Sequence, residues 1–220
     1  INLDNLYDLL DLDGNIKFIE YGEKYKINKE DIPTIKKNLK KREKNKKKFF
    51  YNQITLHVYM KNGEDIKRIN VKLFNNGSIQ MTGLKTEGMG NDTISYLLEK
   101  IQTLNNKPSL HKDNSLFNQE KQLEILDYYI AMINTDFDMG FKIDRNKLNR
   151  YLINIGIYTS FEPCIYPGVN IKYYYKENYK SGICNCSNIC KGDGKLGCCK
   201  KITIAVFNSG KIIITGGRNM

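Results

Sequence analysis

The chain has 220 residues, 40% of them apolar and 27% charged, which is length enough for one ordinary domain or two small fused ones with a real core. No stretch approaches the ~18 apolar residues of a membrane span and no signal-peptide pattern opens the sequence, so neither a membrane partner nor secretion is expected. A net charge of +11 favours a polyanionic partner such as nucleic acid, with a discount for AT-rich coding, which by itself enriches Lys, Asn, Ile and Tyr.

The sequence opens on Ile1 rather than Met, as the interior of a longer protein would, and "INLDNLYDLL" reads as a strand end running into a helix. Lys36–Lys48 carries nine basic residues in thirteen against Glu43 alone, a solvated loop that also offers phosphate contacts. "FYNQITLHVYMK" (Phe50–Lys61) is a strand, and Val71–Gly83 is a hairpin. Val71 and Leu73 alternate with polar residues before "NNGS", Ile79 and Met81 alternate after it, and Gly77 supplies a positive-φ turn position. Next, Ile94, Leu97, Leu98, Ile101 and Leu104 share one helical face, with Asp92 or Thr93 as the cap. Residues 105–122, polar and carrying Pro108, form a link. "FKIDRNKLNRYL" from Phe141 again runs from a strand end into a helix, and "IYPGVNIKYYYK" (Ile165–Lys176) is again a strand. A Cys-rich insertion over 176–201 precedes a second hairpin at Ile204–Gly216.

The two hairpins are copies of one another. Laid without gaps, Val71–Gly83 and Ile204–Gly216 share Phe74/Phe207, Asn75/Asn208, Gly77/Gly210, Ile79/Ile212, Thr82/Thr215 and Gly83/Gly216, six identities in thirteen. The match extends backwards and sets Tyr51 opposite Tyr166. The unit is strand, helix, several antiparallel strands, helix, written twice.

In the second copy "FEPCIYPGVNIKY" and "VFNSGKIIITGG" resemble the YEPELFPGLIYR and hFxSGKhxhTG segments of the TATA-box-binding protein family. The first copy shows the hairpin as "LFNNGSIQMTG" and a weaker upstream segment. The resemblance implies an α+β fold of two pseudo-symmetric repeats forming a saddle, with one curved antiparallel sheet beneath and helices on the convex side. Residues 1–104 would be the first repeat, lacking its first strand, and 123–220 the second, lacking its final helix, with 105–122 between them. The implied function is that of a non-enzymatic transcription initiation factor. Such a factor binds and bends AT-rich double-stranded promoter DNA through the minor groove, as a monomer, and recruits transcription factors and the RNA polymerase machinery. The alternative is a module of the same fold that binds protein or a nucleic-acid substrate without bending a promoter. Long insertions and AT-biased composition are the style of a divergent, viral member acting in the nucleus or at a viral replication site.

Strand alternation lists the face that would meet DNA, because residues two apart share a face. From Phe207 it holds Ala205, Phe207, Ser209, Lys211, Ile213 and Thr215, and in copy one Lys72, Phe74, Asn76, Ser78, Gln80 and Thr82. The family's wedge pairs fall on Phe74 with Tyr51 and on Phe207 with Tyr166; in both the second phenylalanine has become tyrosine, whose hydroxyl is costly to desolvate. Lys172 matches a phosphate-binding Arg, His57 holds that place in copy one, and Asn134 lies near the family's central asparagine. The bland alternatives are ordinary ones: a Phe before a tight turn packs in a core, a Thr before Gly ends a strand, a Lys points to water.

Five of the six cysteines follow as Cys184-x-Cys186-x3-Cys190-x7-Cys198-Cys199, while Cys164 stands apart. This local cluster points to a reducing, intracellular compartment and not to a disulfide framework. Four of these thiolates would suit zinc, and an unliganded or disulfide-linked loop is the alternative. No cofactor is otherwise required. With two His (His57 and His111), no phosphate loop before a helix and no paired acids on equivalent strands, no catalytic constellation is present.

Overall fold

The computed structural model describes residues 1–28, 49–106, 116–117, 123–187, 189–194 and 199–217. The basic segment 36–48, most of the 105–122 link, His111, Cys198 and residues 218–220 lie outside the described residues. The chain divides into two compact units, Ile1–Ile125 and Leu126–Met220.

The first unit runs α1 (Leu3–Leu9), β1 (Ile16–Tyr21), β2 (Lys24–Ile27), β3 (Gln53–Asn62), β4 (Asp65–Phe74), β5 (Ile79–Thr82) and α2 (Glu87–Asn105). Its strands form an antiparallel sheet in the order β2-β1-β3-β4-β5. Alternation decides the core: Ile54, Leu56 and Val58 on β3 and Ile69, Val71 and Leu73 on β4 all bury on one face. Against it pack Leu3, Leu6 and Tyr7 of α1 and Met89, Leu97, Ile101 and Leu104 of α2, with Leu116 from beyond the helix. Asn2 caps α1 through the Asn5 amide at 3.1 Å. The α2 helix begins earlier than the expected Asp92 or Thr93 cap: Thr86 accepts from the Met89 amide at 3.2 Å. Gly88 and Gly90 hide that first turn from a propensity reading, and Gly90 is buried within it. Thr93 lies inside the helix, its hydroxyl donating to the Met89 carbonyl at 2.6 Å.

The second unit runs β6 (Ile133–Asp138), α3 (Arg145–Asn154), β7 (Tyr158–Ser160), β8 (Val169–Lys176), β9 (Tyr179–Gly182), β10 (Lys200–Val206) and β11 (Lys211–Gly217). The antiparallel order is β6-β11-β10-β8-β7, and β9 also pairs with β8. Its core is smaller: Leu152 of α3 with Val169, Ile171 and Val206, flanked by Ile143, Leu148, Ile157, Phe161, Ile204 and Ile212. The fold is therefore α+β. Its strands pair as two sheets, one within each unit, where the family resemblance led us to expect one continuous sheet. Each ladder finds its partners inside its own unit; β6 lies beside β11, and β5 ends the first sheet.

The repeat extends to individual hydrogen bonds. In one hairpin the Phe74 amide donates to the Ser78 carbonyl at 2.9 Å and the Gly77 amide to the Phe74 carbonyl at 3.0 Å. In the other the Phe207 amide donates to Lys211 at 2.9 Å and the Gly210 amide to Phe207 at 3.0 Å. The Ile1 nitrogen donates to the Asn75 carbonyl at 2.8 Å, and the Ile143 amide to the equivalent Asn208 carbonyl at 3.0 Å. Both loops end on a glycine in the left-handed region, Gly77 at φ 89° and Gly210 at φ 92°, which closes a three-residue turn.

The two glycines are not equally constrained. A Cβ at Gly77 would meet open space, whereas one at Gly210 would stand 2.1 Å from the Phe141 carbonyl oxygen. Gly77→Ala is expected to lower hydrogen-exchange protection of the Phe74 amide by about 1 kcal/mol, the cost of the left-handed conformation alone. Gly210→Ala is expected to lower that of Phe207 by about 3 kcal/mol or more, because backbone must also move. Equal losses would show that Phe141 does not close on the turn.

Candidate nucleic-acid interface

Residues directly opposite one another in an antiparallel ladder share a face, so the register defines the face of each sheet turned away from its core. In the second unit Tyr158, Lys172, Thr203, Thr215 and Asn134 form one row across β7, β8, β10, β11 and β6. Ser160, Asn170, Ala205, Ile213 and Asp136 form the next. The predicted residues Lys172, Ile213 and Thr215 thus stand on one face, with Ala205 buried between larger neighbours. The Lys172 ammonium donates to the Thr203 hydroxyl at 3.0 Å. Lys211 follows at the hairpin, opposite Asp138.

Thr203 and Asn170 were not among the predicted contacts, although a step of two from Ala205 and from Lys172 reaches them. Asp136 needed the pairing of β6 with β11, which no local pattern encodes. Asp138 is committed to its own turn, accepting from the Gly140 amide at 2.9 Å. Asp136 is exposed and has no cationic partner among the described residues, so it places a bare carboxylate on this face.

At the hairpin end the rings of Tyr166 and Phe207 meet edge to face, 5.8 Å apart at 61°. This is the pair expected from the sequence. Gly168 makes it fit, because a Cβ there would lie 3.0 Å from Tyr166 Cε1 and 3.2 Å from Phe207 Cε1. Arg145, at the start of α3, holds the same segment by donating to the Pro167 carbonyl and by lying 5.0 Å over the Phe161 ring. Tyr166 remains 40% exposed and no described side chain hydrogen-bonds its hydroxyl.

The first unit departs from this arrangement. Phe74 stands opposite Gln53 on β3. Tyr51, 60% exposed, turns to Tyr21, 6.1 Å away at 83°, and its ring lies across Gly22. The expected Tyr51–Phe74 pair is not formed, because the β1–β2 turn offers Tyr51 a nearer ring and a glycine to lie on. On the sheet face, Phe18, His57, Asn70 and Thr82 form one row, and Glu20, Thr55, Lys72 and Gln80 the next. His57 is taken up by Phe18, with centroids 4.6 Å apart and Phe18 itself 2% exposed. The place held by Lys172 in unit two is thus packed in unit one.

Asn76 and Ser209 have a structural duty first. The Asn76 side-chain oxygen accepts from the Ser78 amide at 3.0 Å and the Ser209 hydroxyl from the Lys211 amide at 3.4 Å, so both brace their own turns.

A second cluster lies in the insertion. The sulfurs of Cys184, Cys186, Cys190 and Cys199 all lie within 4.8 Å of one another and could hold a zinc ion. A backbone hydrogen bond from Cys186 draws the Cys184 thiol below its ordinary value, whereas Cys186, bonded to Cys199, is pushed up to about 12. Burial raises Cys199 as well. Cys164 is exposed and stands outside the group.

Gly168→Ala is expected to force the Tyr166 and Phe207 rings apart and to change the near-ultraviolet circular dichroism of that pair. Because both rings are partly exposed and can swing, the loss of stability stays near 1 kcal/mol. An unchanged aromatic signal would show that the two rings are not held in contact.

No protein-family profile matches the chain. A protein of Acanthamoeba polyphaga mimivirus described as "TATA-box-binding protein-like" is 35% identical over 192 residues, 83% of this chain and 47% of that protein. The chain thus spans about half the length of the curated relative it matches. Among solved structures, Methanococcus jannaschii TBP matches with a TM-score of 0.41 at 16% identity, covering 69% of this chain and 63% of that one. With the duplicated hairpin and the sequence identity over most of its length, the chain belongs to the TATA-box-binding protein-like family.

Proposed function

We propose that the chain is a promoter-recognition factor that binds AT-rich duplex DNA in the minor groove through the open faces of its sheets and bends it. The observation that carries this reading is the second unit's face, where the Tyr166–Phe207 pair stands at the hairpin end of β10, two same-face steps from the row holding Lys172, Thr203, Thr215 and Asn134. Hydroxyl and amide groups suit the A·T acceptors of the minor groove, Lys172 and Lys211 suit phosphates, and an aromatic tip suits insertion at a flexible base step. Thr82 and Phe74 provide the corresponding positions in unit one. Turn-bracing by Asn76 and Ser209 leaves their outer lone pairs for solvent or DNA. Proteins of this family are not enzymes, and the reading involves no chemical step. Binding as a monomer and recruitment of transcription factors and RNA polymerase machinery belong to the same proposal and rest on the family alone.

The test is a titration of an AT-rich duplex carrying a fluorescent donor and acceptor at its ends, repeated across salt concentrations. Binding is expected to shorten the end-to-end distance, with log affinity falling by ~0.9 per phosphate neutralised for each log unit of salt. Phe74→Ala with Phe207→Ala is expected to remove the shortening and weaken binding by at least about tenfold, the scale of a few kcal/mol for a lost wedge. Ile213→Glu, which sets a second carboxylate beside Asp136, is expected to weaken binding similarly, and Asp136→Asn to strengthen it by a few fold. Binding and bending indifferent to the double substitution would overturn the proposal. Binding without shortening would instead support a substrate-binding module.

A further inference from the structure

We propose that Cys184, Cys186, Cys190 and Cys199 bind one zinc ion as four thiolates, and that this ion closes the insertion between β9 and β10 into a fixed loop. The reading is independent of DNA binding. Four sulfurs that all lie within 4.8 Å of one another are close enough to share a single ion. A tetrahedral ion with metal–sulfur bonds of ~2.3 Å separates its ligands by roughly 3.8 Å, well inside that limit. Cys186 and Cys199 stand at 3.2 Å, so they open slightly on metal binding. A cluster of several irons would spread its thiolates wider, and hard cations prefer oxygen, which leaves zinc as the fitting ion. With all four positions filled by protein, the site is structural and offers no open coordination position.

The topology explains why a staple is needed here. Chain leaving β9 at Gly182 on one edge of β8 must reach Lys200 on the other edge, and none of its described residues joins either hydrophobic core cluster. Cys184 and Cys186 lie just after β9, and Cys199 lies just before β10. The metal therefore joins the two ends of the insertion directly. The backbone already closes near it: the Gly194 amide donates to the Cys199 carbonyl at 3.0 Å and the Lys201 amide to the Gly192 carbonyl at 2.8 Å. A tetrathiolate zinc centre carries a net charge of −2, and Lys180, Lys191, Lys200 and Lys201 flank it in sequence, a local excess of cation that offsets it. Cys199 and Phe207 lie at opposite ends of β10, roughly 26 Å apart along an extended strand. The ion thus fixes the start of a central strand without approaching the aromatic pair. Zinc uptake by the free thiols displaces up to four protons to buffer, with no change of oxidation state.

Metal content of the reduced chain, purified without chelator, tests the site. One zinc per chain is expected by plasma mass spectrometry, and cobalt exchanged into the site is expected to give the intense visible absorption of a tetrahedral thiolate centre. Cys184→Ser and Cys199→Ser should each weaken zinc binding by about 100-fold or more, whereas Cys164→Ser and Cys198→Ser should leave it unchanged. Removal of zinc should expose the Lys200 and Lys201 amides to hydrogen exchange while the Phe207 amide stays protected. Substoichiometric zinc after incubation with an equimolar supply would overturn the proposal. So would an intact mass showing disulfides among these residues in protein purified under mild reductant without chelator, or loss of metal on Cys198→Ser equal to that on Cys199→Ser.

Discussion

Strand register is the constraint on which the rest of this molecule depends. In an antiparallel sheet a slip of one residue exchanges the two faces completely. Here the exchange would send Leu56, Val71 and Leu73 to water and Thr55 and Lys72 into the core. The turn at Phe74–Ser78, closed by Gly77, holds β4 against β5 in the one register that avoids this. The equivalent turn at Phe207–Lys211 does the same for β10 and β11. Core and candidate interface are thus two readings of a single ladder. The residues that would touch DNA are those that the burial of Val206, Ile204 and Ile212 leaves on the other side.

The two units solve the same problem with different margins. Among the described residues the first buries eighteen in its core cluster and the second four. The difference follows from the helices: α1 and α2 both pack on the first sheet, whereas α3 is the helix of the second unit among the described residues. At about 25 cal/mol per Å² of apolar surface, a core this much smaller leaves the second unit more dependent on other restraints. Its long insertion would weaken it further through a slack connection between β9 and β10. The proposed zinc, tying Cys184 to Cys199, would counter that weakness where it arises.

Much of this was legible in the sequence because it rests on local chemistry. Alternation in Val71–Gly83 and glycines at equivalent turn positions identified the repeat and the hairpins, and the family resemblance singled out Tyr166 with Phe207. The failures share another cause: they concern choices between partners that local pattern does not rank. Tyr51 could pair with Phe74 or Tyr21, and only the approach of the β1–β2 turn decides for Tyr21. Thr93 reads as a cap until the first turn of α2, disguised by Gly88 and Gly90, is seen to start at Thr86. Asp136 reaches the open face through β6, a strand some seventy residues before its partner β11, whereas Asn134 beside it was singled out through the family resemblance and not through this pairing. Cys198 and Cys199 are alike in sequence, and nothing local marks Cys199 as the one that joins the sulfur cluster.

Divergence between the halves then follows from what each face has kept. The second unit has a braced aromatic pair, an aliphatic Ile213 and an unobstructed Lys172 beside Thr203. In the first unit Phe74 lacks its partner ring, Gln80 replaces the aliphatic group, and His57 is packed beneath Phe18. A lone ring is less well held than an edge-to-face pair, which is worth ~0.5–1.5 kcal/mol beyond its buried area. Under the proposed reading, more of the cost of unstacking a base step is therefore met by the second unit. The polar first face gives up apolar contact for hydrogen bonding, which discriminates less in a groove whose acceptors are nearly the same for A·T and T·A. Orientation on a symmetric AT-rich site would then come from the inequality of the two faces, with the Tyr166–Phe207 end choosing the step that unstacks more easily.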